Sequence, residues 1–267
     1  MKGKLNMAKG KGRSWFYFCM CAMVAVFLCA VFMTAAADGI TTKDKNAKEA
    51  VDKAIKALGG KEKIDGIKSL VIKATFNPSS SSGLPPTDFE IRILFPDNIL
   101  EINRLHGEAT LMGYTGISKG KAIRPFPPQV DENSTRADEM RVASYPSFVR
   151  TLSRLVCGMV MKSGSIPVTI SSGSKPGVFE MLTQTGQKYY DSITNEIEFD
   201  ADGYPSVIRF AGDMGNINEV RFGERFSVNG IMFPRIITDT QFPNPVIRIE
   251  EVQINPKLSL KDFEIPR

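Results

Sequence analysis

The chain has 267 residues, 42% hydrophobic and 24% charged, an ordinary balance for a globular protein and too polar for one that crosses a membrane many times. Its formal net charge of +5 is local: Lys2, Lys4, Lys9, Lys11 and Arg13 all precede the first acid, Asp38, and without them 29 basic residues face 29 acidic ones. Residues 38–267 are therefore formally neutral, which excludes a nucleic-acid binder that works by neutralising phosphates. With Cys19, Cys21 and Cys29 set aside, the lone Cys157 excludes an intrachain disulfide or a cysteine-rich zinc site.

The five cations lead into the apolar run Trp15–Met33, and Thr34, Ala35, Ala36 and Ala37 follow before Asp38. A basic start, an apolar middle and small residues ahead of a polar stretch make an export segment over residues 1–37. It is either a signal peptide cleaved near Ala36 or Ala37, or a retained signal-anchor, since the run is also just long enough to span a bilayer. In both cases the cations stay in the cytoplasm, and residues 38–267 cross as a single domain. The residues before the three cysteines (Phe18, Met20 and Leu28) are too large for a lipid-attachment site.

Thr42–Leu58 predicts a helix, with Ala47, Ala50, Val51, Ala54, Ile55 and Leu58 on one stripe and Gly59-Gly60 as its stop. From Ser69 the period changes to two. Leu70, Ile72, Ala74 and Phe76 form the buried face of one strand, and Phe89, Ile91, Ile93 and Phe95 that of a second. A Ser/Gly/Pro-rich loop joins them, Pro96-Asp97-Asn98 turns into Ile99–Leu105, and Arg124–Pro128 ends this series. Asn133–Val160 has helical spacing, and Pro146 predicts a break into two helices near Tyr145. Strands then resume over Ile166–Ile170, Val178–Thr183, Tyr189–Asp200, Tyr204–Phe210, Ile217–Val228, Ile231–Thr240 and Val246–Ile254, with Asp202-Gly203 and Asn229-Gly230 as hairpin turns. The expected class is α+β, an antiparallel meander with helical insertions.

Catalytic chemistry finds little to stand on. The single histidine, His106, rules out a multi-histidine metal site, and no Gly-x-Ser-x-Gly elbow is present. Cys157, among Leu155, Val156, Met159 and Val160, reads as a small buried hydrophobe rather than a nucleophile. Glu196, Glu198 and Asp200 alternate with Ile197 and Phe199, the pattern of a solvated strand face rather than a calcium site. The expectation is a protein that is not an enzyme and needs no cofactor. What remains is apolar side chains on strands, and a bent sheet with an apolar inner face either wraps a helix or leaves room for an acyl chain.

Several short motifs carry a family resemblance. A helix ends in Ala57-Leu58-Gly59-Gly60, and Ile67-Lys68-Ser69-Leu70 opens the first strand. Phe95-Pro96-Asp97-Asn98 makes a strand–proline–strand step. Val228-Asn229-Gly230-Ile231-Met232-Phe233-Pro234, Ile254-Asn255-Pro256 and Phe263-Glu264-Ile265-Pro266 close the chain. Over residues 44–267 this resembles the LolA/LolB-like superfamily of periplasmic lipoprotein carriers, which includes RseB/MucB-type sensors. The resemblance implies an incomplete, strongly curved antiparallel β-barrel, helices over its concave face, acyl chains received there, and a periplasmic location. LolA-type carriers have an arginine before the proline of the step, which latches the helical lid; Phe95 stands here, so a guanidinium latch is absent or relocated.

On that basis the expected function is an exported, non-enzymatic carrier of lipid or lipoprotein acyl chains. The alternative is an envelope-stress or lipid-sensing interaction module on the same scaffold, with an envelope protein as partner. The expected lining is Leu70, Ile72, Phe76, Phe89, Ile91, Ile93 and Phe95 on one side and Phe179, Met181, Phe199, Phe210 and Phe222 opposite, with Phe148 and Leu152 on the lid. The partner is a lipid or an acylated protein, no nucleic acid is involved, and the membrane is met through the N-terminal segment only if it is uncleaved.

Overall fold

The computed structural model describes residues 39–78, 85–119, 121–125, 129–187, 190–211, 216–240 and 246–264; the side chains at 146–148, 150–153, 185–187 and 190–192 are outside that description. The export segment lies outside the described residues, as does the loop at 79–84. Among the described residues, no helix is long and apolar enough to cross a membrane.

Thirteen strands form one sheet: β1 (Ile40–Thr42), β2 (Ser69–Asn77), β3 (Thr87–Leu94), β4 (Asn98–Leu105), β5 (Leu111–Ser118), β6 (Lys121–Ile123), β7 (Val168–Ser172), β8 (Val178–Gln187), β9 (Tyr190–Phe199), β10 (Pro205–Ala211), β11 (Ile217–Val228), β12 (Ile231–Asp239) and β13 (Val246–Ile254). Their order is β1-β7-β8-β9-β10-β11-β12-β13-β2-β3-β4-β5-β6, so among the described residues β1 and β6 are the edges and the barrel is unclosed. Every pairing is antiparallel except β1 with β7, a short parallel strand that the meander reading did not include. Asn229-Gly230 makes the β11–β12 turn with both φ angles positive, the backbone that such a two-residue hairpin requires.

Among the described residues, three α-helices accompany the sheet. Helix α1 (Lys45–Leu58) is capped by Asp44, which accepts from Ala47 N at 2.9 Å and also from Ser172 N and Oγ at 2.7 Å, tying the helix start to β7. Its end at Gly59 is fixed by close approach: a Cβ there would lie 2.4 Å from the Gly230 carbonyl oxygen of the β11–β12 hairpin. One short turn, α2 (Lys61–Asp65), follows. Helix α3 runs unbroken from Thr135 to Val160, which corrects the expected break at Pro146. A proline inside a helix forfeits one amide donor. Here the turns on both sides are seated on the sheet, against β5 and β6 at one end and β8, β10 and β12 at the other, and the packing carries the helix through.

The same contacts establish the curvature. Seven strands separate β7 from β3, so a flat sheet would hold them about 38 Å apart at about 4.8 Å per step. Yet Ser165, three residues before β7, donates its amide to the Pro96 carbonyl in the β3–β4 turn at 2.9 Å. Three residues reach about 10 Å. The sheet is therefore bent into a trough, and α3, about 39 Å long, lies along it. One apolar cluster joins Ala47, Val51, Ala54 and Leu58 of α1 and Val149, Val156, Met159 and Val160 of α3 to the inner face of the strands. On the outer face, Phe263 and Leu258 of the C-terminal segment cover Leu100, Ile102 and Tyr114, so β4 is buried on both sides.

Candidate functional site

The trough's inner face is built by strand alternation. On β2 it carries Leu70, Ile72 and Ala74, and on β3 it carries Phe89, Ile91 and Ile93, paired across the ladder as Leu70 with Ile93 and Ile72 with Ile91. On the other wall are Met181 of β8, Ile197 of β9, Phe210 of β10 and Phe222 of β11. Phe179 and Phe199 meet edge-on with ring centroids 5.6 Å apart, and Phe76 meets Phe89 in the same way at 5.9 Å. All the described residues of the expected lining share one cluster except Phe76, which touches it through Phe89. The side chains of Phe148 and Leu152 lie outside the described residues.

These side chains pack against α1 and α3 of the same chain. A gap of about 100 Å³ remains under the middle of α3, between Tyr145, Ile99, Ile117, Ile166 and the Pro96 turn. It holds about three waters' worth of liquid volume and falls short of the roughly 300 Å³ at which ligand pockets begin. A larger hollow of about 230 Å³, beside Lys73, Asp88, Glu90, Arg104 and Glu250, is lined mainly by charged residues. The acidic stripe on β9 belongs to the outer face too: Glu198 and Glu219 both hold Arg209, with Nε of Arg209 to Glu219 at 2.8 Å, and Asp200 Oδ1 accepts the Asp202 and Tyr204 amides. Among the described residues no cluster of His, Cys, Asp or Glu could hold a metal. His106 is exposed and shares a 2.6 Å hydrogen bond with Asp88. Cys157 is fully buried, and burial pushes its thiol up to about 12.

The trough's polar residues are the part the apolar reading missed. Glu101 and Asn103 lie on the inner face of β4, opposite Ile91 and Phe89. Burial raises the Glu101 carboxyl above its ordinary range, and the hydrogen bond from Asn103 Nδ2 at 3.2 Å opposes that rise only in part. Asn195 sits on the inner face of β9 opposite Met181, in phase with Ile197 and Phe199, and that alternation was the signal that could have found it.

At the end of α3, Lys162 is only 6% exposed and donates to three backbone carbonyls, Ile64 at 3.2 Å, Asp65 at 3.3 Å and Ile67 at 3.0 Å. Its ammonium also stands 4.9 Å from the Phe95 ring. Phe95, the residue before the proline of the strand–proline–strand step, is thus faced by a lysine that follows α3. Nothing in the local sequence announces this, because the three carbonyls lie nearly a hundred residues away.

No protein-family model matches the sequence, and a search of curated proteins finds no match. Among solved structures, the chain is similar to a LolA superfamily protein from Nitrosomonas europaea, at 10% identity and a TM-score of 0.49, over 82% of this chain and 97% of that one. It is similar to a putative outer membrane lipoprotein-sorting protein domain from Vibrio parahaemolyticus at 11% identity and a TM-score of 0.48, over 82% and 97%. A DUF1329 family protein from Desulfovibrio piger aligns at 9% identity and a TM-score of 0.43, over 83% and 98%.

Proposed function

We infer that the protein is an exported, non-enzymatic carrier that shields acyl chains in the trough beneath α3. The observation that carries this reading is the seating of α3: a 26-residue helix spans an apolar inner face, and the gap under its midpoint is walled by Ile99, Ile117 and Tyr145. A helix that only completed a core would close over that face along its whole length. Here Val142 is 58% exposed, and toward its N-terminus α3 is fastened by the buried Ala137 and by the bond from Arg124 to Ser144. Lifting this half widens the gap along the β2–β5 wall. Each methylene moved from water contributes about 0.8 kcal/mol, so eight of them supply about 6 kcal/mol, enough to hold the helix open over a guest.

The test is co-purification. Protein isolated from its own host, examined by native mass spectrometry, carries lipid, and a fluorescent fatty acid binds it saturably. Repeated lipid-free preparations together with unsaturable probe binding overturn the reading and leave an interaction module on the same scaffold.

A further inference from the structure

One point in the trough is polar where packing alone would favour an aliphatic side chain. Asn195 is 2% exposed, and among the described residues neither its Oδ1 nor its Nδ2 has a hydrogen-bond partner. A buried amide left unsatisfied on both atoms costs stability, so its neighbourhood identifies what would satisfy it. On β8 its cross-strand partner is Met181. On β10 the ladder pairs Ile208 with Ile197 and Arg209 with Glu196, which brings Phe210 opposite Asn195 at the next step. Facing residues on paired strands lie about 5 Å apart. Arg154, on α3, is 7% exposed and stacks its guanidinium over the Phe210 ring at 3.4 Å. A cation carrying only donors and an amide with a free donor thus flank one aromatic ring, inside an apolar wall.

Building on the acyl-carrier reading, we propose that Arg154 and Asn195 form a carboxylate-recognition point, so that the preferred guest is a free fatty acid rather than an esterified lipid. The carboxylate accepts from the Arg154 guanidinium and from Asn195 Nδ2, and the chain runs along α3 from Arg154 to the gap beside Tyr145, about 14 Å away. Charge-assisted bonds of this kind are the strong ones, and an ester offers only a neutral carbonyl.

The experiment compares palmitate with methyl palmitate, each displacing a fluorescent fatty acid from the full chain and from Asn195→Leu and Asn195→Asp variants, with the melting temperature of each recorded. The unmodified protein favours palmitate over the ester by about tenfold or more, the equivalent of one charge-assisted hydrogen bond. Asn195→Leu melts higher and keeps the ester, and its preference for palmitate narrows because Arg154 alone then holds the carboxylate. Asn195→Asp, which keeps the shape and adds a like charge, loses palmitate more than ester and controls for misfolding. Equal binding of acid and ester by the unmodified protein, or unchanged palmitate affinity in both variants, overturns the carboxylate point alone. Failure of the unmodified protein to bind either compound overturns the acyl-carrier reading beneath it.

Discussion

The two ends of α3 are held differently. At the C-terminal end every residue from Val156 to Met161 is buried, a Cβ on Gly158 would stand 2.0 Å from the Phe222 ring, and Lys162 pins the exit to three carbonyls across the trough. Toward the N-terminus Val142 and Ala143 are exposed, Tyr145 is half-buried over the gap, and the carboxyl of Glu101 sits on the wall below. On the carrier reading, the less buried N-terminal half is the part that lifts over a guest. The difference locates where motion is cheap, because local opening draws on regions with few buried apolar contacts.

The contrast can be broken first at its strong end. Lys162→Met removes the ammonium and leaves the Ile64, Asp65 and Ile67 carbonyls short of a donor, which costs about 3 kcal/mol in urea unfolding. Val142→Ser at the exposed end changes stability by less than about 0.5 kcal/mol. Similar losses from the two would mean that the ends do not differ. Gly158→Ala sets a helix-propensity gain of about 1 kcal/mol against overpacking of Phe222 by about 2–3 kcal/mol, for a net loss of about 1–2 kcal/mol by the same assay.

The wall beneath the more exposed half responds to pH. Burial raises the Glu101 carboxyl, so the folded chain binds its proton more readily than the unfolded chain does. The associated stability is present below the unfolded value and is lost as pH rises through the folded value. Glu101→Gln does not titrate. Its melting temperature therefore matches that of the parent in acid and moves above it as pH rises through this range. A gap that stays constant, or opens toward acid, removes Glu101 from the wall's energetics.

Legibility followed the same division. The inner faces of β2 and β3 were readable because Lys73, Thr75, Glu90 and Arg92 alternate with Ile72, Ala74, Ile91 and Ile93, although Ser69 and Val71 on the other face of β2 are buried too. The β11–β12 hairpin was readable because Asn229-Gly230 needs left-handed backbone. The outer burial of β4 was not, since Leu100 and Ile102 are covered by Phe263, a contact between distant segments. Three residues of β1 are too few to show a period, and Pro146 pointed to a break that packing at both ends of α3 overrides. The polar residues of the candidate site, Lys162 and Asn195, take their meaning from partners on other strands and turns.

Methyl NMR during a fatty-acid titration reads whether an acyl chain occupies the inner face of the trough. Strand β4 carries its own control, because Ile99 faces the gap under α3 while Leu100 and Ile102 face the C-terminal segment. The prediction is saturable shifts at Ile93, Ile99 and Ile117 with Leu100 and Ile102 unmoved. Shifts confined to Leu100 and Ile102, or an unperturbed spectrum at saturating fatty acid, would contradict it.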